Sequence, residues 1–238
     1  ATRLNTDLHI NYKETPNEEI LRLARYYLEE KYDLEKVIHY SKKLLDKDPT
    51  NKEALFMLGR MNFIKGNASE ALKYLSLGID IYPTDKYFYY MRGLTYGFIG
   101  GDKLPLAAKD FEMNIYLDKV YYDHKDAGSW AGYNDLAWIY FQMGDFEKAK
   151  SNAEETLKLY DNNPWALNIL GVSEMNLGNL VQAKQQLEKS LLELNKMDST
   201  VWGQAYSGDD PKNHEQGFQK MKESVRFNLS LVTEKLGK

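Results

Sequence analysis

The sequence holds no cysteine among its 238 residues. That excludes disulfides, thiolate metal sites and cysteine nucleophiles. It has little excess charge, with 31 basic against 35 acidic side chains and no basic block. Phosphate neutralisation needs clustered Lys and Arg, so nucleic acid is excluded as a partner. No apolar run approaches the ~20 residues of a membrane helix, and direct membrane insertion is not expected. Residues 1–17 lack a basic start followed by an apolar stretch, and the first residue is Ala1 rather than Met. Cytoplasmic and exported locations (cell envelope or periplasm) stay equally open on this reading. Histidine is scarce too. His9, His39, His124 and His214 stand far apart, and His214-Glu215 has no second histidine four residues on. Asp123, His124 and Asp126 lie on a polar stretch that reads as solvated. No metal or other cofactor is expected.

What the chain has in plenty is tyrosine, with 18 copies, and a hidden period. Pro49 and Pro83 are 34 residues apart, and the same shift aligns other small residues. Gly59, Gly93, Ala137 and Gly171 share one column. Ala71, Ala149 and Ala183 share another, joined by Ala107 after a two-residue insertion. Gly66, Gly144 and Gly178 form a third, and Asp33, Asn67, Asp102, Asp145 and Asn179 a fourth. The units are 18–51, 52–85, 86–121, 130–163 and 164–197, with 122–129 a polar insertion.

Each unit reads as two helices. In 52–85, Leu55, Leu58, Gly59 and Asn62 recur at steps of three and four, which places them on one helical face. Gly66 ends that helix. Asn67 is expected to cap the next one, with Glu70 as its reciprocal partner. Pro83 stops it. Gly59 and Ala71 are small because the paired helices approach closely there. The glycines at 93, 97, 100 and 101 have no Gly-Lys-Ser/Thr after them, so they read as packing and helix ends rather than a phosphate loop.

These columns resemble the tetratricopeptide repeat (TPR) family over about three quarters of the chain. Tyr133, Leu136, Ala137, Tyr140 and Ala149 carry the likeness in one unit. Leu167, Leu170, Gly171 and Ala183 carry it in the next, and Tyr89, Gly93, Tyr96 and Phe111 in 86–121. Unit 18–51 departs most, with Arg25 at the small position and Val37 at the alanine. The resemblance implies an all-α fold, a right-handed superhelical solenoid of five TPR helix pairs. Segment 215–236 spaces Phe218, Met221, Val225, Leu229, Val232 and Leu236 as an amphipathic helix that would cap the last unit. Segment 198–214 reads as a loop or flap. Residues 1–17 alternate Leu8, Ile10 and Tyr12 with polar side chains, as an extended N-terminal arm would.

In this family a second stripe of the first helices lines a concave groove. Here it is aromatic: Tyr26, Phe56, Arg60, Tyr87, Tyr90, Asn134, Trp138, Trp165 and Asn168 are the candidate peptide-binding residues. Phe63 and Phe141 read equally well as core. Tyr and Trp combine contact area with a polar tip, and an Asn pair one repeat apart can grip peptide amides. The basic clamp that some TPR modules use for a terminal carboxylate is missing: Phe56, Met57, Tyr87, Tyr90 and Met91 occupy those places. The expectation is a non-enzymatic protein-interaction module that binds a peptide or a helix of a partner. The alternative is a structural subunit of an assembly or homodimer that uses the same rings. No nucleophile, base and orienting group stand together.

Overall fold

The structure is a computed structural model that describes residues 17–122, 128–204 and 214–237. The expected extended arm, most of the 122–129 insertion and residues 205–213 of the flap lie outside the described residues. So do His9, Asp123, His124 and Asp126. Among the described residues every regular element is helical. The chain divides into two compact units, Ala1–Pro83 and Thr84–Lys238.

The first unit contains α1 (Asn17–Glu29), α2 (Leu34–Lys47), α3 (Lys52–Ile64) and α4 (Ala68–Ile81). α1 packs on α2, α2 on α3, and α3 on α4. Its core holds Ile20, Ala24, Tyr27, Val37, Leu44, Leu58 and Met61. Arg25 is exposed and pairs with Glu53. The small residue expected at Arg25 is therefore Ala24, one place earlier. The chain absorbs the extra residue at the end of α1, just before Tyr32, which takes a φ of 48° at the place of Gly66; Asp33 N–H there reaches six residues back to the Tyr27 carbonyl where Asn67 reaches five back to Asn62.

The second unit contains α5 (Lys86–Ile99), α6 (Leu104–Tyr121), α7 (Ser129–Gln142), α8 (Phe146–Leu159), α9 (Pro164–Asn176) and α10 (Leu180–Lys196). Two further helices follow, α11 (Ser199–Gln204) and α12 (His214–Leu236). Part of the expected flap is thus the short helix α11. The pairs α5/α6, α7/α8 and α9/α10 are joined by packing of α6 on α7 and α8 on α9. α12 lies mainly on α10 and buries Phe218, Val225 and Val232. Leu236, expected on that face, is exposed.

The small-residue columns mark where paired helices touch. A Cβ on Gly59 would sit 2.5 Å from Leu75 Cδ2, and one on Gly171 2.6 Å from Leu187 Cγ. On Gly93 it would press within 3.1 Å of the Phe111 ring. Each of these large partners stands four residues after a column alanine: Ala71, Ala183 and Ala107. Where the first helix carries Ala137 instead of Gly, the matching second-helix place holds Ala153. Where it carries Ala24, the place holds Ser41. All four of these side chains are fully buried. A larger first-helix residue goes with a smaller second-helix one, so the close approach is kept although the individual residues change.

The turns follow the sequence reading in their glycines and only in part in their caps. Gly66, Gly144 and Gly178 have φ of 77°, 78° and 87°, the left-handed turn that ends the first helix of a pair. Asp33 and Asp145 accept hydrogen bonds from the backbone of Lys36 and Lys148. Asn67 occupies the N-cap position of α4 without a side-chain cap bond, so the expected capping box with Glu70 does not form.

Candidate functional site

In the second unit α7 packs against both α5 and α9. Each of these helices is apolar around most of its circumference, because one stripe meets its pair partner and others meet the preceding second helix and neighbouring first helices. Phe88, Met91 and Thr95 on α5 are buried in this way, as are Gly132 and Ile139 on α7, and Ala166, Ile169 and Ser173 on α9. Gly97 makes the approach of α5 to α7 possible: a Cβ there would lie 2.9 Å from Ile139 Cδ1.

Tyr87 opens α5 and is 44% exposed. Its ring meets Tyr122 edge-on at 6.2 Å, and the Lys86 ammonium lies 5.1 Å from its centroid. Lys86 is held in a buried ion pair with Asp118, and its carbonyl accepts a 3.0 Å bond from Asn114 Nδ2. Trp138 on α7 is 45% exposed and stacks on Phe141 at 5.5 Å. Phe141 leans in turn on Phe146 at 5.6 Å. It is half-buried against the core, so it supports Trp138 from below.

Tyr90 is half-buried, its ring edge-on to Phe111 at 5.8 Å. Its hydroxyl donates to Asp135 Oδ2 at 2.8 Å, tying α5 to α7. Asp135 stands where Met57, Met91 and Ile169 stand in neighbouring units, so a carboxylate interrupts an otherwise apolar column. The sequence reading missed it, although that interruption was visible in the alignment. Burial pushes its carboxyl up to about 6, against the lowering effect of bonds from Tyr90 and Asn134. A carboxyl whose pKa is raised by folding costs stability when ionised. The cost is absent below about pH 4, grows through the interval up to about 6, and is complete at neutral pH. Asp135→Asn retains an acceptor for Tyr90 and removes the charge. It should gain about 2–3 kcal/mol at neutral pH and almost nothing near pH 4, measured by urea unfolding. Equal effects at both pH values would contradict this account.

Asn134, Trp165 and Asn168 do not lie on an open surface as the sequence reading expected. Asn134 is only 3% exposed; its Nδ2 donates to Asp135 Oδ1 at 3.3 Å, and its Oδ1 has no hydrogen-bond partner. Asn168 Oδ1 accepts from Asn228 Nδ2 at 3.1 Å, which ties α9 to α12. Trp165 is 4% exposed, stacked on Trp130 at 6.0 Å and 6.4 Å from Trp202. Their covers differ: Asn168 meets α12, Trp165 meets Trp130 of the preceding first helix and Trp202 of α11, and Asn134 is buried beside Asp135 of its own helix. The missing-clamp places Met57 and Met91 are buried as well, Met57 with its sulfur 3.6 Å from Ser41 Oγ on α2.

In the first unit Tyr26, Phe56 and Arg60 are all half-buried. Tyr26 meets Tyr27 edge-on at 5.2 Å, with Lys31 Nζ 5.7 Å from its ring centroid. Desolvation holds the Arg60 guanidinium below its usual pKa, partly opposed by Tyr32. His39 on α2 is likewise lowered, by desolvation first and then by Lys43. His214 begins α12 beside Trp202. Among the described residues no three His, Cys, Asp or Glu side chains converge as a metal site would require.

The sequence matches the tetratricopeptide repeat family over residues 130–163 and again over 39–86. The chain carries tetratricopeptide repeats in both stretches. Its all-α architecture is that of a helical solenoid, and such repeats serve as protein-interaction scaffolds. No curated protein matches the chain by sequence. Solved structures with a similar fold include MamA, at 24% identity and TM-score 0.64, covering 76% of this chain and 92% of that one. TTC0263, a thermophilic TPR protein of Thermus thermophilus, has 19% identity and TM-score 0.57, covering 81% and 98%. YrrB, described as a TPR protein with an unusual peptide-binding site, has 15% identity and TM-score 0.61, covering 75% and 86%. No helix among the described residues of this repeat protein is long and apolar enough to cross a membrane.

Proposed function

We propose that the protein is a non-enzymatic interaction module that binds a peptide segment of a protein partner through the first helices of its second unit. The exposure of Tyr87 and Trp138 carries this reading. Both are large amphipathic rings held in place from beneath, Tyr87 by Tyr122 and the Lys86–Asp118 pair, Trp138 by Phe141. Fixing a ring before the ligand arrives reduces the ordering cost of binding. Tyr90 belongs to the same site at its edge, with its hydroxyl committed to Asp135. The likeness to YrrB, a TPR protein with a peptide-binding site, agrees with this reading.

Residues 18–51, 52–85, 86–121, 130–163 and 164–197 serve in this proposal as the repeats, with α12 as the terminal cap. The test is affinity capture of the partner with wild type and with Tyr87→Ala plus Trp138→Ala. Tyr90 is left intact because its loss would orphan Asp135. The double variant should keep its thermal midpoint within a few degrees and weaken binding at least about tenfold, as truncation of two anchoring rings does. Retained binding with an intact fold would refute the site.

A further inference from the structure

The repeats provide an internal comparison for the outer faces of the second helices. Three places on α6, at Leu106, Met113 and Tyr116, can be aligned through the column alanine Ala107. The same places hold Lys36, Lys43 and Asp46 on α2, and Glu70, Leu77 and Asp80 on α4. They hold Lys148, Glu155 and Lys158 on α8, and Gln182, Lys189 and Leu192 on α10. Three charged or polar places on an outer face are what solvent demands. On α6 all three are apolar. α6 also runs to 18 residues where α2, α4 and α8 have 14, and its added turn brings Val120 and Tyr121 onto the surface. Leu106, Tyr116, Val120 and Tyr121 are all exposed, the last three by more than half. Solitary exposed apolar residues need no explanation, but a stripe at steps of seven, three and four along one helix does.

We infer that the outer face of α6 is a self-association surface, paired antiparallel with α6 of a second copy of this chain. The occupant follows from the pattern of the face. A two-fold axis crossing the helix between residues 114 and 115 sets Met113 of one copy against Tyr116 of the other, and does so twice. The same axis leaves Glu112 of one copy and Lys119 of the other on the same flank, two residues or about 3 Å out of register along the helix and within reach of an ion pair, again twice. The stem of Lys109 lies along Val120 of the second copy. No like charges are opposed. Glu112 is exposed, and only its Oε1 is engaged, by the Tyr140 hydroxyl at 2.6 Å. Its other oxygen is free to meet a lysine across the axis. Lys119 is exposed and rests over the Tyr133 ring at 5.4 Å, so its ammonium is already near the surface that would receive the second copy. A face that suits itself under a two-fold rotation fits a second copy better than an unrelated helix. This surface is separate from Tyr87 and Trp138, so it stands or falls independently of the peptide site.

The test uses the full chain in sedimentation velocity across a micromolar concentration series. Wild type should show a monomer–dimer equilibrium. Tyr116→Glu plus Val120→Lys should raise the dimer dissociation constant by at least about tenfold while the thermal midpoint is unchanged. The charges give a sharper test. Glu112→Lys alone and Lys119→Glu alone each bring like charges within reach of one another, so each variant should be monomeric by itself. Mixed in equal amounts, the two restore opposite charges at both places, and a heterodimer should form. Damage to the fold cannot be rescued by mixing. Wild type that stays monomeric throughout overturns the inference. So does a dimer indifferent to all these variants, or a mixture of the charge variants that remains monomeric. Binding of α6 by a different protein without self-association would also overturn it.

Discussion

Gly59→Leu should lower the stability of the protein by about 3 kcal/mol or more, enough to abolish the folded state of the first unit near body temperature. A Cβ alone would already sit 2.5 Å from Leu75 Cδ2, well inside contact distance, and leucine adds three further carbons. Leu75 is fully buried and has no open space to retreat into. The α3–α4 pair would have to separate, which uncovers the core formed by Leu58 and Met61. The rest of the protein shows how such a clash is relieved. Where α7 bears Ala137, α8 bears Ala153 at the place of Leu75. Gly59→Ala should therefore destabilise, and Leu75→Ala added to it should recover part of that loss. Chemical denaturation of the four proteins checks this as a double-mutant cycle. Additive losses would mean that the two residues are not opposed, and that the repeat register is wrong.

The same register shows which parts of the molecule were legible in sequence. Gly59, Gly93, Gly171 and their alanine partners were, because a close approach between neighbouring helices constrains both sides locally and recurs every 34 residues. The α12 helix was legible through Phe218, Val225 and Val232, whose spacing of seven keeps them on one face. The faces of the first helices were harder. A helix buried on several sides is apolar almost all round, so its period no longer says which stripe is open. Asn134, Trp165 and Asn168 were counted on the open stripe for that reason, whereas all three are buried, Asn168 against Asn228 of α12. Trp165 is covered by Trp202, which a linker places there and no local pattern announces. The extra residue at the end of α1 was hidden differently: shifting one helix by one place still leaves an apolar period, now with Ala24 as its small member. Tyr87 and Trp138 keep part of their rings exposed, each resting on another ring, Tyr122 and Phe141, rather than being enclosed.

Removing residues 214–238 should convert the protein from a soluble species into an aggregating one. α12 buries Phe218, Val225 and Val232, with Met221 and Leu229 packed at their edges. Full burial of the first three is worth roughly 5–9 kcal/mol before the entropy of ordering the helix is counted. On the opposite side, deletion would lay open Leu187, Leu194 and Trp202, and would take Asn228 from Asn168 Oδ1. The end of a helical array has no further unit to hide such a surface, and exposed terminal faces make repeat proteins insoluble. A milder variant separates loss of the helix from loss of its apolar face. Val225→Asp keeps every helical residue but drives a carboxylate into a fully buried place. The charge has no partner there, which should cost about 3 kcal/mol or more and release α12 from α10. Both proteins should show increased light scattering and faster amide exchange along α10, while α1–α4 keep their protection. If the truncated chain stayed monomeric with an unchanged thermal midpoint, α10 would not need the cover that α12 provides. The apolar surface of the last pair would then have to be stable in water by itself, which the burial of Leu187 and Leu194 argues against.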